Sequence, residues 1–120
     1  MIRILLIEDD TLTRITIGQF LGGEGYEVDE AEDGVKALSL LDANKYDLIL
    51  SDIVMPKVNG FAIVDHASSA SPSTPVILMT AYAVTQFQAT TAQRAVEVIL
   101  KPILLDDLLS RVRRVLEQQN

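Results

Sequence analysis

Five short strand-like runs alternate along the chain with segments in which apolar residues recur at helical spacing. The predicted strands are residues 2–7, 26–28, 46–52, 75–80 and 96–100. Short continuous apolar runs are typical of strands that are buried on both faces of a parallel sheet. The predicted helices are residues 12–21, 31–41, a segment that begins after Asn59, 84–94 and 104–116. This alternation predicts an α/β fold in which five helices cover both faces of a five-stranded parallel sheet.

Capping and turn residues place the helix ends. Asp33 and Asn59 are positioned to cap the second and third helices, because their side chains can accept hydrogen bonds from the first turn. Gly22-Gly23 is expected to supply the left-handed C-terminal cap of the first helix, since glycine adopts that conformation readily. Residues 56–60 are expected to form a turn.

The composition is that of one ordinary globular domain, residues 1–120, with 48% apolar and 22% charged residues. The net charge of -7 argues against binding to nucleic acids or anionic membranes, which attract Lys and Arg. Cysteine is absent, so disulfides and thiolate metal sites are excluded. No apolar run approaches the roughly 20 residues of a membrane span, and the N-terminal run is not a signal peptide. We therefore expect a cytoplasmic location.

Four of the predicted strands end on groups that bind a phosphate or a divalent cation. Glu8 and Asp9 follow the first strand, Asp52 ends the third, Thr80 ends the fourth and Lys101 follows the fifth. Ligands of open α/β sheets lie at the carboxyl ends of the strands, so we expect one shared site. Hard cations such as Mg²⁺ prefer oxygen ligands, and converging carboxylates without a cation repel each other. A metal, a carboxylate, a hydroxyl and an ammonium together suit phosphoryl transfer, which depends on positioning and charge neutralisation.

Weaker candidates for the site are Asp10, His66 and the glycines within residues 22–25. Asp10 is explained equally well by capping of the first helix and by metal binding, and both interpretations stay open. His66, the only histidine, lies in the third predicted helix away from the strand ends, so we expect no metal or phosphodonor role for it. The glycines within residues 22–25 follow a helix rather than a strand, which argues against a phosphate-binding loop.

The chain resembles the receiver domain of two-component response regulators over essentially its whole length. The matching stretches are residues 4–10, 47–56 with 59–60, 76–81 and 100–102. The resemblance implies a single receiver domain over residues 1–120, with a flavodoxin-like, doubly wound sheet in the strand order 2-1-3-4-5 and five helices. It also implies a cis peptide bond between Lys101 and Pro102, a form that is uncommon even before proline.

The resemblance also implies a role for each acidic residue of the predicted site. Asp52 resembles the residue that accepts a phosphoryl group from the phosphohistidine of a sensor histidine kinase or a histidine phosphotransfer protein. Glu8 and Asp9 resemble the acidic pair that binds Mg²⁺ (or Mn²⁺), with Asp9 as the direct ligand. Asp52 and the backbone carbonyl of Val54 complete the implied metal ligands.

Thr80 and Lys101 resemble the residues that bind the phosphoryl oxygens. The implied function is two-component phosphorelay signal transduction by a signalling domain rather than an enzyme with a separate substrate. Such a domain catalyses only its own phosphorylation and slow dephosphorylation, and it passes a conformational change to a partner or an attached output domain. We expect no direct contact of this domain with nucleic acids or membranes.

Three positions depart from the family's usual pattern. Val98 stands where the family generally carries Tyr or Phe, so the usual coupling of the Thr80 hydroxyl to a rotating ring has no ring here. Val54 and Tyr82 occupy positions that usually tune the lifetime of the acyl phosphate. Valine cannot hydrogen-bond an attacking water and a tyrosine ring can shield the phosphoryl group, so we expect slow dephosphorylation.

Two other functions are alternatives. A phosphatase of the haloacid dehalogenase type also uses a strand-end Asp, a Thr or Ser, a Lys and Mg²⁺. It needs a second Asp two residues after the nucleophile, where this chain has Val54. A pseudo-receiver would act only as a protein-binding module, and the presence of Asp9, Asp52, Thr80 and Lys101 argues against that function.

Overall fold

The computed structural model describes residues 1–55, 58–81 and 95–118, and this part of the chain holds five strands and four helices. The strands are β1 (Arg3–Ile7), β2 (Glu27–Ala31), β3 (Leu48–Asp52), β4 (Val76–Thr80) and β5 (Ala95–Leu100). The helices are α1 (Thr11–Gly23), α2 (Gly34–Ala43), α3 (Gly60–Ala70) and α4 (Leu105–Gln118). The predicted helix at 84–94, Tyr82 and part of the predicted turn at 56–60 lie outside the described residues.

The five strands form one parallel sheet in the order β2-β1-β3-β4-β5, which confirms the predicted strand order. The order reverses at β1, which lies between β2 and β3. Ile7 of β1 pairs with Ser51 of β3, so Glu8 and Asp52 follow these paired residues at the same edge of the sheet. The topology therefore brings the ends of β1 and β3 together at the switch point, where open α/β sheets bind ligands.

Two hydrophobic clusters cover the two faces of the sheet. Alternate residues of a strand belong to different clusters: Leu5 and Ile7 pack with α2 and α3, whereas Ile4 and Leu6 pack with α1 and α4. β1, β3 and β4 are buried on both sides, which explains their continuous apolar runs. Among the described residues, no helix is both long and apolar enough to cross a membrane.

The second strand is longer, and the second helix begins later, than the sequence predicts. β2 continues through Asp29 and Glu30 to Ala31, the residue at which the sequence predicts the helix to begin. β2 is an edge strand whose polar residues are partly exposed, and this exposure removes the apolar pattern that marks the buried strands. The predicted cap is confirmed, because the Asp33 side chain accepts a hydrogen bond from the Lys36 N–H at 2.8 Å.

The predicted glycine cap of the first helix is wrong. Gly22 and Gly23 lie within α1, and the helix is closed by hydrogen bonds from the Glu24 N–H to the Leu21 carbonyl and from the Gly25 N–H to the Gly22 carbonyl. Gly25 has φ 99°, and no other glycine in the described ranges has a positive φ. The left-handed residue therefore lies two positions beyond the helix end, where it turns the chain toward β2.

Gly60, the first residue of α3, packs directly against the end of β3. A Cβ atom on Gly60 would lie 2.6 Å from the Asp52 carbonyl oxygen and 2.7 Å from the Ile53 Cα. Both neighbours are backbone atoms, so they cannot rotate away. The Gly60 N–H also donates to the Ile53 carbonyl at 2.8 Å, which fixes the start of α3 beside the strand end.

We expect Gly60→Ala to lower the free energy of unfolding by about 1–3 kcal/mol, the usual cost of overpacking a close contact. Gly23→Ala is the matched control, because a Cβ on that helical glycine meets nothing within 4 Å. Urea denaturation followed by circular dichroism measures both variants. A Gly60→Ala midpoint at or above that of the Gly23→Ala variant would contradict the assigned contact.

Candidate functional site

Three carboxylates converge at the carboxyl edge of the sheet. Glu8 and Asp9 follow β1, and Asp52 is the last residue of β3. One oxygen from each of the three side chains lies within 4.8 Å of the others. Glu8 and Asp52 are buried, whereas Asp9 is exposed to solvent. The structure thus brings together the acidic residues that the sequence placed in one site.

Lys101 joins the two buried carboxylates. It follows β5, and its Nζ atom lies 2.5 Å from Glu8 Oε1 and 2.9 Å from Asp52 Oδ2. Burial lowers the pKa of Lys101, but the hydrogen bonds to Glu8 and Asp52 more than offset this effect and raise the pKa above its ordinary value. The peptide bond between Lys101 and Pro102 is cis, which confirms the expectation from the resemblance.

Glu8 is the most constrained carboxyl group of the site. Its side chain is fully buried, and Oε1 accepts from Lys101 while Oε2 accepts from the Asp10 N–H at 3.3 Å. Burial raises the pKa of Glu8 to about 7, the neighbouring Asp52 adds to the increase, and Lys101 opposes it. The Glu8 carboxyl group therefore keeps its proton to a higher pH than the carboxyl group of an exposed glutamate does.

Thr80 and Val54 lie near Asp52 at the same edge of the sheet. Thr80 is buried at the end of β4, next to β3, and its carbonyl accepts from the Lys101 N–H at 2.7 Å. Val54 follows β3, and its N–H lies 3.4 Å from Asp52 Oδ1. Val54 is 53% exposed, so an exposed apolar residue flanks Asp52. All the residues that the sequence assigned to the site therefore lie at one edge of the sheet.

Asp10 and His66 lie outside the acidic cluster. Asp10 caps α1, where its Oδ2 atom accepts from the Thr13 N–H at 2.9 Å and from the Thr13 hydroxyl at 2.6 Å. These hydrogen bonds hold the pKa of Asp10 below its ordinary value. His66 lies on α3 and pairs with Asp42 of α2 at 2.8 Å. The capping interpretation of Asp10 is therefore the one that the structure supports.

Arg14 is a site residue that the sequence analysis missed. Its Nη1 atom donates to the Glu8 carbonyl at 2.8 Å, and its Nε atom lies 3.4 Å from Glu30 Oε1. Arg14 thereby connects the end of β1 to β2 from the first turns of α1. No signal in the sequence marks this contact, because Arg14 lies six residues beyond Glu8 and binds its backbone carbonyl rather than its side chain.

The donor set fits a hard divalent cation. Glu8, Asp9 and Asp52 supply carboxylate oxygens, and a magnesium ion commonly takes few carboxylates and keeps several waters. Only Asp9 of the three is open to solvent, which suits a site that remains partly hydrated. Next to this cluster, Lys101 and Thr80 supply an ammonium and a hydroxyl. Such a group of residues can bind and neutralise a phosphoryl group.

The response regulator receiver domain family matches residues 4–113 of the chain. Among curated proteins, the chain is similar to response regulator MprA of Mycobacterium sp., with 32% identity over 118 residues, which covers 98% of this chain and 51% of that protein. It is also similar to the probable transcriptional regulatory protein SilR of Salmonella typhimurium, with 34% identity over 119 residues, 98% of this chain and 52% of that protein. The chain thus spans about half the length of these relatives.

Solved structures of response regulator proteins are also similar to this chain. A CheY-like receiver domain protein from Methanospirillum hungatei has a TM-score of 0.90 at 29% identity and covers 99% of this chain and 96% of its own. The response regulator TrrA from Thermotoga maritima, solved in complex with Mg²⁺-BeF, has a TM-score of 0.86 at 31% identity and covers 96% of this chain and 99% of its own.

The raised pKa of Glu8 predicts a pH dependence of stability in metal-free buffer. A carboxyl group with an ordinary pKa of 4.5 and a folded pKa of about 7 binds its proton more tightly in the folded chain. Its stabilising contribution is therefore complete below pH 4.5 and is lost as the pH rises through about 7. We expect the unfolding free energy of Glu8→Gln, relative to the parent, to rise over this range.

Urea denaturation in the presence of EDTA at a series of pH values measures this difference. Glu117→Gln, which changes an exposed carboxylate on α4, is the control and should give a curve parallel to that of the parent. A difference between Glu8→Gln and the parent that does not change with pH would contradict the assigned environment of Glu8.

Proposed function

Since this chain belongs to the response regulator receiver domain family, we propose that Asp52 is its phosphoryl acceptor. The observation that carries the proposal is the position of Asp52 at the end of β3, 5% exposed, between an acidic pair and an ammonium. An oxygen of Asp52 attacks the phosphorus of a phosphohistidine. The new O–P bond forms as the P–N bond breaks, and the imidazole nitrogen retains the electron pair.

Glu8, Asp9, Asp52 and the backbone carbonyl of Val54 hold Mg²⁺ or Mn²⁺ in this proposal. Support comes from the three convergent carboxylate oxygens and from TrrA, whose structure contains Mg²⁺-BeF. When bound, the cation neutralises negative charge on the phosphoryl oxygens and on the acids. Asp9 remains accessible at the surface, so it can ligate the ion directly, while Glu8 supports it from the buried side.

Lys101 and Thr80 bind the phosphoryl oxygens. In the structure the Lys101 ammonium is held by Glu8 and Asp52, and phosphorylation converts the Asp52 carboxylate into an acyl phosphate, a mixed anhydride with less charge on the carboxyl oxygens. The ammonium then bonds to a phosphoryl oxygen nearby, which carries the charge that the carboxylate has lost. Thr80, buried at the end of the adjacent strand, supplies its hydroxyl to a second phosphoryl oxygen.

The phosphoryl donor is a sensor histidine kinase or a histidine phosphotransfer protein, and the output passes to a partner or to an attached domain. The relatives MprA and SilR are about twice as long as this chain, which is consistent with an attached domain in proteins of this kind.

Val98 is partly buried and packs against the cluster that contains Leu5 and Ile7. The output therefore travels through a route other than rotation of an aromatic ring at position 98.

Phosphorylation by a small donor tests this function directly. We expect the parent protein to gain the mass of one phosphoryl group when it is incubated with acetyl phosphate and Mg²⁺, and to gain none in EDTA. Asp52→Asn should gain none under either condition, and Asp10→Asn, which changes the helix cap, should behave like the parent. Intact-protein mass spectrometry is the measurement.

The alternatives predict other results in the same experiment. Turnover of acetyl phosphate without a stable mass gain would support the phosphatase. No mass gain and no turnover would support the pseudo-receiver. Either result would contradict the proposal.

Slow dephosphorylation follows from the apolar, half-exposed Val54 side chain next to Asp52. Val54→Asn places an amide there that can hydrogen-bond an attacking water, so we expect severalfold faster decay of the phosphorylated protein. Val54→Leu keeps the position apolar and is the control, with decay like that of the parent. The decay is followed by mass spectrometry after removal of the donor. Fast decay of the parent, unchanged in Val54→Asn, would contradict this role of Val54.

A further inference from the structure

Arg14, near the start of α1, is a largely buried arginine that binds the backbone at the end of β1. Its side chain is only 14% exposed. The Nη1 atom donates to the Glu8 carbonyl at 2.8 Å, and the Nε atom lies 3.4 Å from Glu30 Oε1 on β2. The Glu8 carbonyl belongs to the peptide bond that joins Glu8 to Asp9. The guanidinium therefore holds the connection that leads directly into Asp9.

Other hydrogen bonds hold the backbone on both sides of this peptide bond. Before it, the Glu8 N–H donates to the Ala31 carbonyl of β2 at 3.1 Å. After it, the Asp10 N–H lies 3.3 Å from Glu8 Oε2, and the Asp10 carbonyl accepts from the Arg14 N–H at 2.9 Å. Each of these bonds acts on a different peptide group from the one between Glu8 and Asp9, which is the group that Arg14 Nη1 holds.

A peptide group between two fixed neighbours can still rotate. The backbone has two soft dihedrals per residue, so ψ of Glu8 and φ of Asp9 can change together while the flanking residues stay in place. Such a rotation moves the Glu8 carbonyl and changes the direction of the Asp9 side chain, which is exposed and has room to move. The bond from Arg14 to the Glu8 carbonyl resists this rotation.

The charge of Arg14 has the opposite effect on a cation. A guanidinium bonded to the Glu8 backbone lies near the acidic cluster, and it repels a divalent ion there. Removal of this charge alone would strengthen cation binding, whereas removal of the hydrogen bond to the Glu8 carbonyl would weaken it. The two effects therefore differ in sign and can be separated by measurement.

From this geometry we propose that Arg14 is a positioning residue for the cation site: its bond to the Glu8 carbonyl fixes the peptide group before Asp9 and so directs the Asp9 carboxylate toward the cation. The inference rests on the proposed function, in which Asp9 is a direct ligand. Arg14 bonds to a backbone carbonyl and to Glu30, so it acts through the peptide bond rather than as a ligand.

The test measures Mn²⁺ affinity by electron paramagnetic resonance of the free ion, together with the thermal unfolding midpoint in EDTA. Arg14→Lys keeps the positive charge, but its ammonium ends one atom short of the Nη1 position. We expect this variant to raise the dissociation constant about tenfold, the lower end of the range for residues that support metal ligands.

Arg14→Met removes both the hydrogen bond and the charge. We expect its dissociation constant to rise as well, although the lost charge acts in the opposite direction. Arg113→Met is the matched control, because it removes the same charge from a 56% exposed arginine of α4 that pairs with Glu24. The control should keep the affinity of the parent.

The outcomes separate the two proposals. Weaker Mn²⁺ binding by both Arg14 variants, with the parent's affinity in Arg113→Met, would support the inference. If the parent does not bind Mn²⁺, the proposed function fails and the inference fails with it. If the parent binds Mn²⁺ but Arg14→Lys keeps its affinity, or Arg14→Met binds more tightly, the proposed function stands and the role of Arg14 is overturned.

A structural role alone would give a different result. A lower unfolding midpoint of the Arg14 variants with unchanged Mn²⁺ affinity would show that the bond to the Glu8 carbonyl serves stability only, and this result also overturns the inference. Arg14→Lys retains a positive charge beside Glu30, so its comparison with the parent remains decisive if Arg14→Met does not fold.

Discussion

Two buried carboxylates share one ammonium at the carboxyl edge of the sheet, and the rest of the site depends on this contact. Glu8 and Asp52 would repel each other without Lys101, because burial removes the water that screens their charges. Lys101 neutralises part of this charge, yet the single ammonium faces two carboxylates, and Asp9 adds a third. The site therefore retains an excess of negative charge that a divalent cation can balance.

The strand order brings Glu8 and Asp52 together, and it also determines that only a long side chain from β5 can reach both carboxylates. β1 and β3 are neighbours, so Glu8 and Asp52 meet through short side chains. β5 is separated from β3 by β4, a distance of about 10 Å at the usual strand spacing. Only a long side chain crosses that distance, and the four-carbon stem of Lys101 does so past the end of β4, where Thr80 lies.

Much of this arrangement could be predicted from the sequence, because the features that define it are local. Continuous apolar runs identified β1, β3 and β4, which are buried on both faces, and the parallel topology then placed Glu8 and Asp52 together. The predicted β2 is too short because an edge strand carries polar side chains. Arg14 was missed because it binds the Glu8 backbone carbonyl, a group that every residue carries and that no sequence pattern marks. The tight contact of Gly34 with Val58 could not be foreseen, because these two residues belong to elements that are far apart in the chain.

Of the convergent acids, Asp52 is the one that we propose as the carrier of the phosphoryl group. Borohydride reduces an aspartyl phosphate to homoserine, so it marks the modified residue permanently. The parent protein, phosphorylated with acetyl phosphate and Mg²⁺ and then treated with borohydride, can be digested and sequenced by tandem mass spectrometry. We expect homoserine at position 52 alone. Homoserine at position 9 or 10, or an unmodified position 52 in phosphorylated protein, would contradict it.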